Sequence, residues 1–227
     1  MKKLAFYCLF IFISDCFIFG QSENEFVFTV FNSENKTGLE IIGYRGNSET
    51  VVIPNYINGE PVISVNLGVF GRFGNRFNDD KNWVIEIPSG VENIIISWPD
   101  NTIYSINVSP DNNFYSSVDG ILYNKERTTL IHCPRRKSGE IYVPVGVKSI
   151  KMEAFEFCRY ITKINLPDGL TDIDSMAFQF CSGLRRINIP SSVKRLGPVF
   201  YGTNLDQDLI KEFTRRFGPI IFEPDGR

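Results

Sequence analysis

Histidine occurs once in the 227 residues, as His132. That leaves histidine-based catalysis a single candidate and excludes most histidine-ligated metal sites. A basic excess is also missing. Twenty-four Lys and Arg stand against 26 Asp and Glu, a net charge of −2, whereas a nucleic-acid-binding domain carries clustered positive charge. After residue 19 no apolar run approaches the roughly 20 residues of a membrane span. Long helices are disfavoured by 12 Pro and 18 Gly, which suit many turns between short elements. What the chain does have is aromatic mass: 20 Phe and 9 Tyr within a 43% hydrophobic composition. That is ample apolar surface for a core and excludes a disordered chain.

Residues 1–20 read as a secretory signal peptide. Lys2 and Lys3 form a positive start, Leu4 to Ile13 an apolar run, and Gly20 before Gln21 a small-residue cleavage point. Cys16 raises the question of lipid attachment, but Asp15 before it does not suit such processing. The expected product is an exported mature chain, periplasmic, on the cell surface or secreted, with no transmembrane domain.

An internal repeat dominates the rest. Residues 144–166 read PVGVKSIKMEAFEFCRYITKINL and residues 167–189 read PDGLTDIDSMAFQFCSGLRRINI, with nine identities and no gap. A third copy starts at Pro190 as PSSVKRLGPVFYGTNL and is one residue shorter before Phe200. An aliphatic anchor recurs at Ile53, Ile87, Val108, Val143, Leu166 and Ile189, with Pro after all but Val108. The segments 103–108, 161–166 and 184–189 obey L-x-x-L-x-L, a leucine-rich-repeat strand signature. Anchor spacings of 34, 21, 35, 23 and 23 mark two long gaps as single repeats with insertions, near 68–82 and 113–133. In each unit alternate strand residues turn inward, Pro ends the strand, and an Ala-Phe pair ending at Phe155 or Phe178 folds in from the far side. One unit cannot bury these groups alone; stacking does.

In these residues the chain resembles the BspA-like leucine-rich repeat family of exported bacterial surface proteins. The match rests on the Ile-Pro anchors with Ala-Phe-x-x-Cys in the 23-residue units. Two further stretches carry it: Ile53 to Val62, and Asn113 to Tyr123 running on to Ile131. It covers roughly Gly38 to Asn204, although Val69-Phe70 stands where Ala-Phe is expected and the unit after Pro88 has no such pair. The resemblance implies an α/β repeat solenoid with a parallel β-sheet on one face, turns or short helical segments on the other, and a binding role without catalytic residues. Its open ends need covers. Residues 21–43, with Phe26–Phe31 and Leu39–Ile42 as strands, read as an N-terminal capping hairpin. Residues 44–204 form the solenoid and residues 205–227 a C-terminal cap, with a helix over Asp206 to Phe217, Asp206 as N-cap and Gly218 as the stop.

Catalytic readings fail on geometry or spacing. His132 and Cys133 are adjacent on an extended segment, so their side chains diverge. Gly68, Gly71 and Gly74 lack the spacing of a phosphate cradle. Asp79, Asp80 and Asp111 are turn acids with too few oxygens for calcium. Arg135, Arg136 and Lys137 read as a solvated loop. No metal, cofactor or enzymatic activity is expected. Cys133, Cys158 and Cys181 remain in the mature chain, an odd number; Cys158 and Cys181 share one repeat position and read as free, core-filling thiols. The candidate ligand-binding surface is the outward sheet face: Tyr104, Asn107, Tyr142, Lys163, Asn165, Arg186 and Asn188, with Glu140 beside them. Tyr and Arg are enriched at interface hot spots. The expected partner is a protein or a glycan, not nucleic acid, in an adhesion or recognition role; the alternative is a structural or assembly protein of the cell envelope.

Overall fold

A computed structural model describes residues 22–33, 36–70, 82–96 and 102–224. The expected signal peptide and most of the expected bulge at 68–82, Asp79 and Asp80 included, lie outside the described residues. Strands β1 (Phe26–Asn32) and β2 (Thr37–Tyr44) form an antiparallel hairpin. The chain then climbs in rungs, each placing one strand on a front wall and one on a back wall. In order these are β3 (Thr50–Val52), β4 (Tyr56–Ile57), β5 (Glu60–Asn66), β6 (Trp83–Ile87), β7 (Asn93–Ile95) and β8 (Ile103–Val108). An antiparallel meander follows, β9 (Tyr115–Val118), β10 (Ile121–Asn124) and β11 (Thr129–His132). The climb resumes through β12 (Ser138–Tyr142), β13 (Ser149–Ile150), β14 (Tyr160–Asn165), β15 (Asp172–Ile173) and β16 (Arg186–Ile187) and ends in helix α1 (Gln207–Phe217).

The six repeat anchors all follow or close front strands, yet the front wall is two parallel sheets, β3-β6-β8 and β12-β14-β16, where one was expected. The meander causes the split. Its turn takes the donors on the free edge of β8: Ile106 N–H bonds Gly120 O at 3.0 Å and Val108 N–H bonds Ser117 Oγ at 2.9 Å. Arg136 N–H reaches across, to Ile103 O at 3.3 Å. The back wall also carries parallel strands, β2-β5-β7 and β11-β13-β15.

The expected α/β class is corrected: the protein is a mostly β solenoid of about six turns, and α1 is the one α-helix among the described residues. The Ala-Phe segments fail to become helices for a visible reason. Glu153, Phe157, Met176 and Phe180 have φ of 60°, 60°, 58° and 57°, the left-handed region that interrupts a right-handed helix. Their backbones bond the next rung instead: Phe155 N–H to Ala177 O at 2.8 Å, Phe157 N–H to Gln179 O at 2.9 Å, Phe178 N–H to Val199 O at 3.1 Å. At the other corner, Pro144-Val145-Gly146-Val147 closes a turn with Val147 N–H on Pro144 O. Gly146 has φ 101° and open space at its Cβ position, so conformation alone asks for glycine.

Two cores lie end to end. Val51, Ile85 and Ile106 belong to the first, Ile141, Ile164 and Ile187 to the second. Strand β10 is the partition, because its side chains alternate: Leu122 packs in the first core, Ile121 and Tyr123 in the second. In the second core Phe155, Phe178, Phe200 and Phe213 stack with ring centroids 5.4, 5.4 and 5.7 Å apart. Helix α1 closes that end. Phe213 is buried, and Arg216 donates to the carbonyls of Ile189, Pro190 and Val193 that a further rung would have used. Asp206 occupies the N-cap position but makes no side-chain cap bond; its carboxylate pairs with Arg186 instead.

Candidate binding face

The sheet β12-β14-β16 presents its outward side chains in rows set by register. Glu140 lies opposite Lys163 and Lys163 opposite Arg186, while Tyr142 lies opposite Asn165. Inward, Ile141, Ile164 and Ile187 form the parallel row that anchors them. Strands β14 and β16 are parallel, with Ile164 opposite Ile187 as the last pair of the ladder.

Most of the polar groups in these rows are already engaged within the chain. Lys163 Nζ reaches Glu140 Oε1 at 2.6 Å, and Asn165 Nδ2 donates to the same oxygen at 2.7 Å. Arg186 pairs with Asp206 at 2.5 Å and Asp208 at 3.1 Å. Asn107 donates to Glu86 at 2.8 Å. Asn188 spends its amide on one residue of the rung below: Leu166 N–H donates to its Oδ1 at 2.8 Å and its Nδ2 donates to Leu166 O at 2.9 Å. That amide extends the ladder past the end of β16. Hydrogen bonds from Lys163, Tyr142 and Asn165 hold the Glu140 carboxyl down to about 2. The same contact raises Lys163 and Tyr142 above their ordinary values.

What stays open is tyrosine. Tyr142 is 64% exposed and Tyr104 39%. Tyr104 lies under Lys137, whose Nζ is 4.7 Å from the ring centroid, so it sits where the two front sheets meet. A third tyrosine was missed in the sequence: Tyr160, first residue of β14 and 56% exposed. It precedes the L-x-x-L-x-L match, so reading outward positions from Ile161 onward passes over it. A bulge between Gly139 and Glu140 sets Tyr160 opposite Ser138.

The other candidates have structural roles. Arg135 is buried, with Nε donating to Glu156 O at 3.2 Å and its guanidinium 3.6 Å from the Glu156 carboxylate; the expected solvated loop is corrected there. His132 is buried, and the Cys133 thiol turns to Pro134 O. Cys133, Cys158 and Cys181 are free and buried; burial pushes the Cys181 thiol well up, away from a reactive thiolate. Among the described residues no group of three His, Cys, Asp or Glu could hold a metal, and no helix is long and apolar enough to cross a membrane.

Residues 132–224 match the family described as BspA type leucine rich repeat region, in six copies. Over those residues the chain carries the BspA-type repeats that its sequence resembles. No curated protein sequence matches it. Among solved structures it is similar to the pneumococcal vaccine antigen PcpA, at 20% identity and a TM-score of 0.50 over 65% of this chain and 41% of that one. A leucine-rich repeat protein of T. pallidum is 20% identical, covering 80% and 77% of the two chains at a TM-score of 0.49. A leucine rich cell surface protein of Faecalibacterium prausnitzii is 16% identical, covering 77% and 80% at 0.46. The match spans less than half the length of the pneumococcal antigen.

Proposed function

We propose that this chain is an exported, non-enzymatic recognition module that binds a protein partner at the bacterial surface through the front face around β12, β14 and β16. The observation that carries the reading is the set of exposed tyrosines, Tyr104, Tyr142 and Tyr160, on a wall whose neighbouring charges are paired within the chain. A tyrosine offers a large amphipathic contact at small entropic cost. Charges already neutralised by their neighbours hold the surface in shape and add little attraction of their own. Export rests on the Lys2-Lys3 start and the apolar run to Phe19. The hairpin β1-β2 and helix α1 serve as covers for the two ends of the stack.

Two experiments test this reading. Fractionated cells should hold the chain outside the cytoplasm with its N-terminus at or near Gln21; a full-length cytoplasmic product contradicts export. Purified residues 21–227 should be screened against extracellular-matrix proteins and glycans, and the binder found should be retested on Tyr142→Ala/Tyr160→Ala. Affinity should fall at least tenfold, about 1.4 kcal/mol, with an unchanged melting temperature. Undiminished affinity in the folded double variant moves the site off this face.

A further inference from the structure

The third repeat copy is one residue shorter than the second before its phenylalanine, and the structure shows where the shortfall is absorbed. On the back wall, Thr171 and Asp172 N–H bond Lys148 O, and Asp174 N–H bonds Ile150 O. The next rung should repeat this with Lys194 to Gly197 on Thr171 and Ile173. Among the described residues it makes none of those backbone bonds. Ser192 Oγ, reaching Leu170 O at 2.5 Å, and Met176 N–H on Pro198 O at 2.9 Å tie the rungs together on either side. Between those ties lies a cleft of about 510 Å3, lined by Thr171, Asp172, Asp174, Lys194, Arg195 and Gly197 among others.

The cleft is polarised. Asp174 and Asp172, which also accepts from Thr171 Oγ1 at 2.6 Å, stand on the β15 side, where the carbonyls of Thr171 and Ile173 receive no backbone donor from the next rung. Arg195 and Lys194, whose Nζ also donates to Ser191 O at 2.8 Å, stand on the other side with the backbone N–H groups of Arg195 and Gly197. Aligned copies put Arg195 at the position of Asp172, so a regular rung would set the two side by side. Among the described residues no ion pair joins either acid to either base. Acids and bases therefore line one open cleft without an ion pair between them.

We infer that this cleft binds a small zwitterion of the α-amino-acid class, a free amino acid or the two ends of a short peptide, with its ammonium on Asp172 and Asp174 and its carboxylate on Arg195 and Lys194. Each contact is a charge-assisted hydrogen bond, and the volume lies within the range of small-molecule sites. Gly197 has open space around its Cβ position, and its N–H has no backbone acceptor among the described residues. The site lies on the back wall and is independent of the tyrosine face.

The test is a titration of the ¹⁵N-labelled mature chain with free alanyl-alanine, its N-acetyl form, its C-terminal amide, and a tetrapeptide blocked at both ends. Saturable shifts should centre on Arg195 and Gly197 with the free dipeptide and weaken at least tenfold with either blocked form. Asp174→Asn should abolish discrimination against the N-acetyl form, and Arg195→Gln discrimination against the amide. Both substitutions are on the surface, and an unchanged melting temperature confirms that the variants fold. Equal binding of the blocked tetrapeptide makes the cleft a strand-addition site and overturns the zwitterion. Absence of saturable shifts at tens of millimolar dipeptide overturns it as well.

Discussion

The two halves of the solenoid solve the same packing problem differently. In the half beyond the partition, successive rungs put the same residue at the same height: Phe155, Phe178 and Phe200 in one stack, Phe157 on Phe180 at 4.6 Å in another, Cys158 and Cys181 in a third. In the half before it, anchors are spaced 34 and 21 residues apart, and the aromatic core is one cluster of unlike rings. Phe26 meets Tyr44 at 5.2 Å, Tyr44 meets Trp83 edge-on at 5.7 Å, and Phe70 meets Trp83 at 6.2 Å. Repetition makes each contact serve every rung, so stability accrues by nearest neighbours. The earlier half depends on contacts that occur once and on its hairpin.

The comparison can be broken hardest at Phe178, the middle of the repeated stack. Phe178→Ala should cost about 3–5 kcal/mol, read as a lowered urea midpoint, with faster hydrogen exchange first in residues 138–222. Leu122→Ala, on the opposite side of the partition, should cost about 2–5 kcal/mol and accelerate exchange first in residues 26–108. The same first-affected segment in both variants would mean that β10 does not divide the cores.

A smaller effect of opposite sign is expected at Tyr123. Its hydroxyl is buried without a hydrogen-bond partner, and burial pushes its ionisation well up. Tyr123→Phe removes that uncompensated group and should leave stability equal or raise it by about 1 kcal/mol, measured by the urea midpoint.

The smallest effect is acid sensitivity of the front face. A carboxyl held at about 2 in the folded chain, against an ordinary 4.5, contributes stability above the ordinary value and loses it as pH falls toward 2. The Glu140 carboxyl followed by ¹³C NMR should titrate near 2, and Lys163→Ala should return it toward 4.5. A normal titration in the unmodified chain would show that Lys163 and Asn165 do not hold it.

Much of this was legible in the sequence because repetition repeats its own evidence. Ile-Asn before Pro and Ala-Phe-x-Phe-Cys recur in register, and one strand period with one turn period is enough to stack them. Residues that act once were harder to read. Arg135 looks solvated as part of a basic run; only the fold brings Glu156 to it. The sequence shows the segment 113–133 as an insertion, but not that its turn takes the donors of β8 and divides the front wall. Asn188 reads as an outward polar residue because alternation gives direction and not partners, and its bonds lie on Leu166, a full rung away. Of the turns or short helical segments expected on the far side, turns form, because left-handed residues at Phe157 and Phe180 interrupt a helix, and these residue types do not advertise such a backbone.

Native-state hydrogen exchange across a range of low denaturant tests the central claim most directly, that two differently built halves share one partition. The amides of Phe155, Phe157, Phe178 and Phe180, each bonded to the next rung, should exchange slowest and open together, while the amides of β3, β6 and β8 open at a lower denaturant concentration. A single opening free energy common to both sets would contradict it.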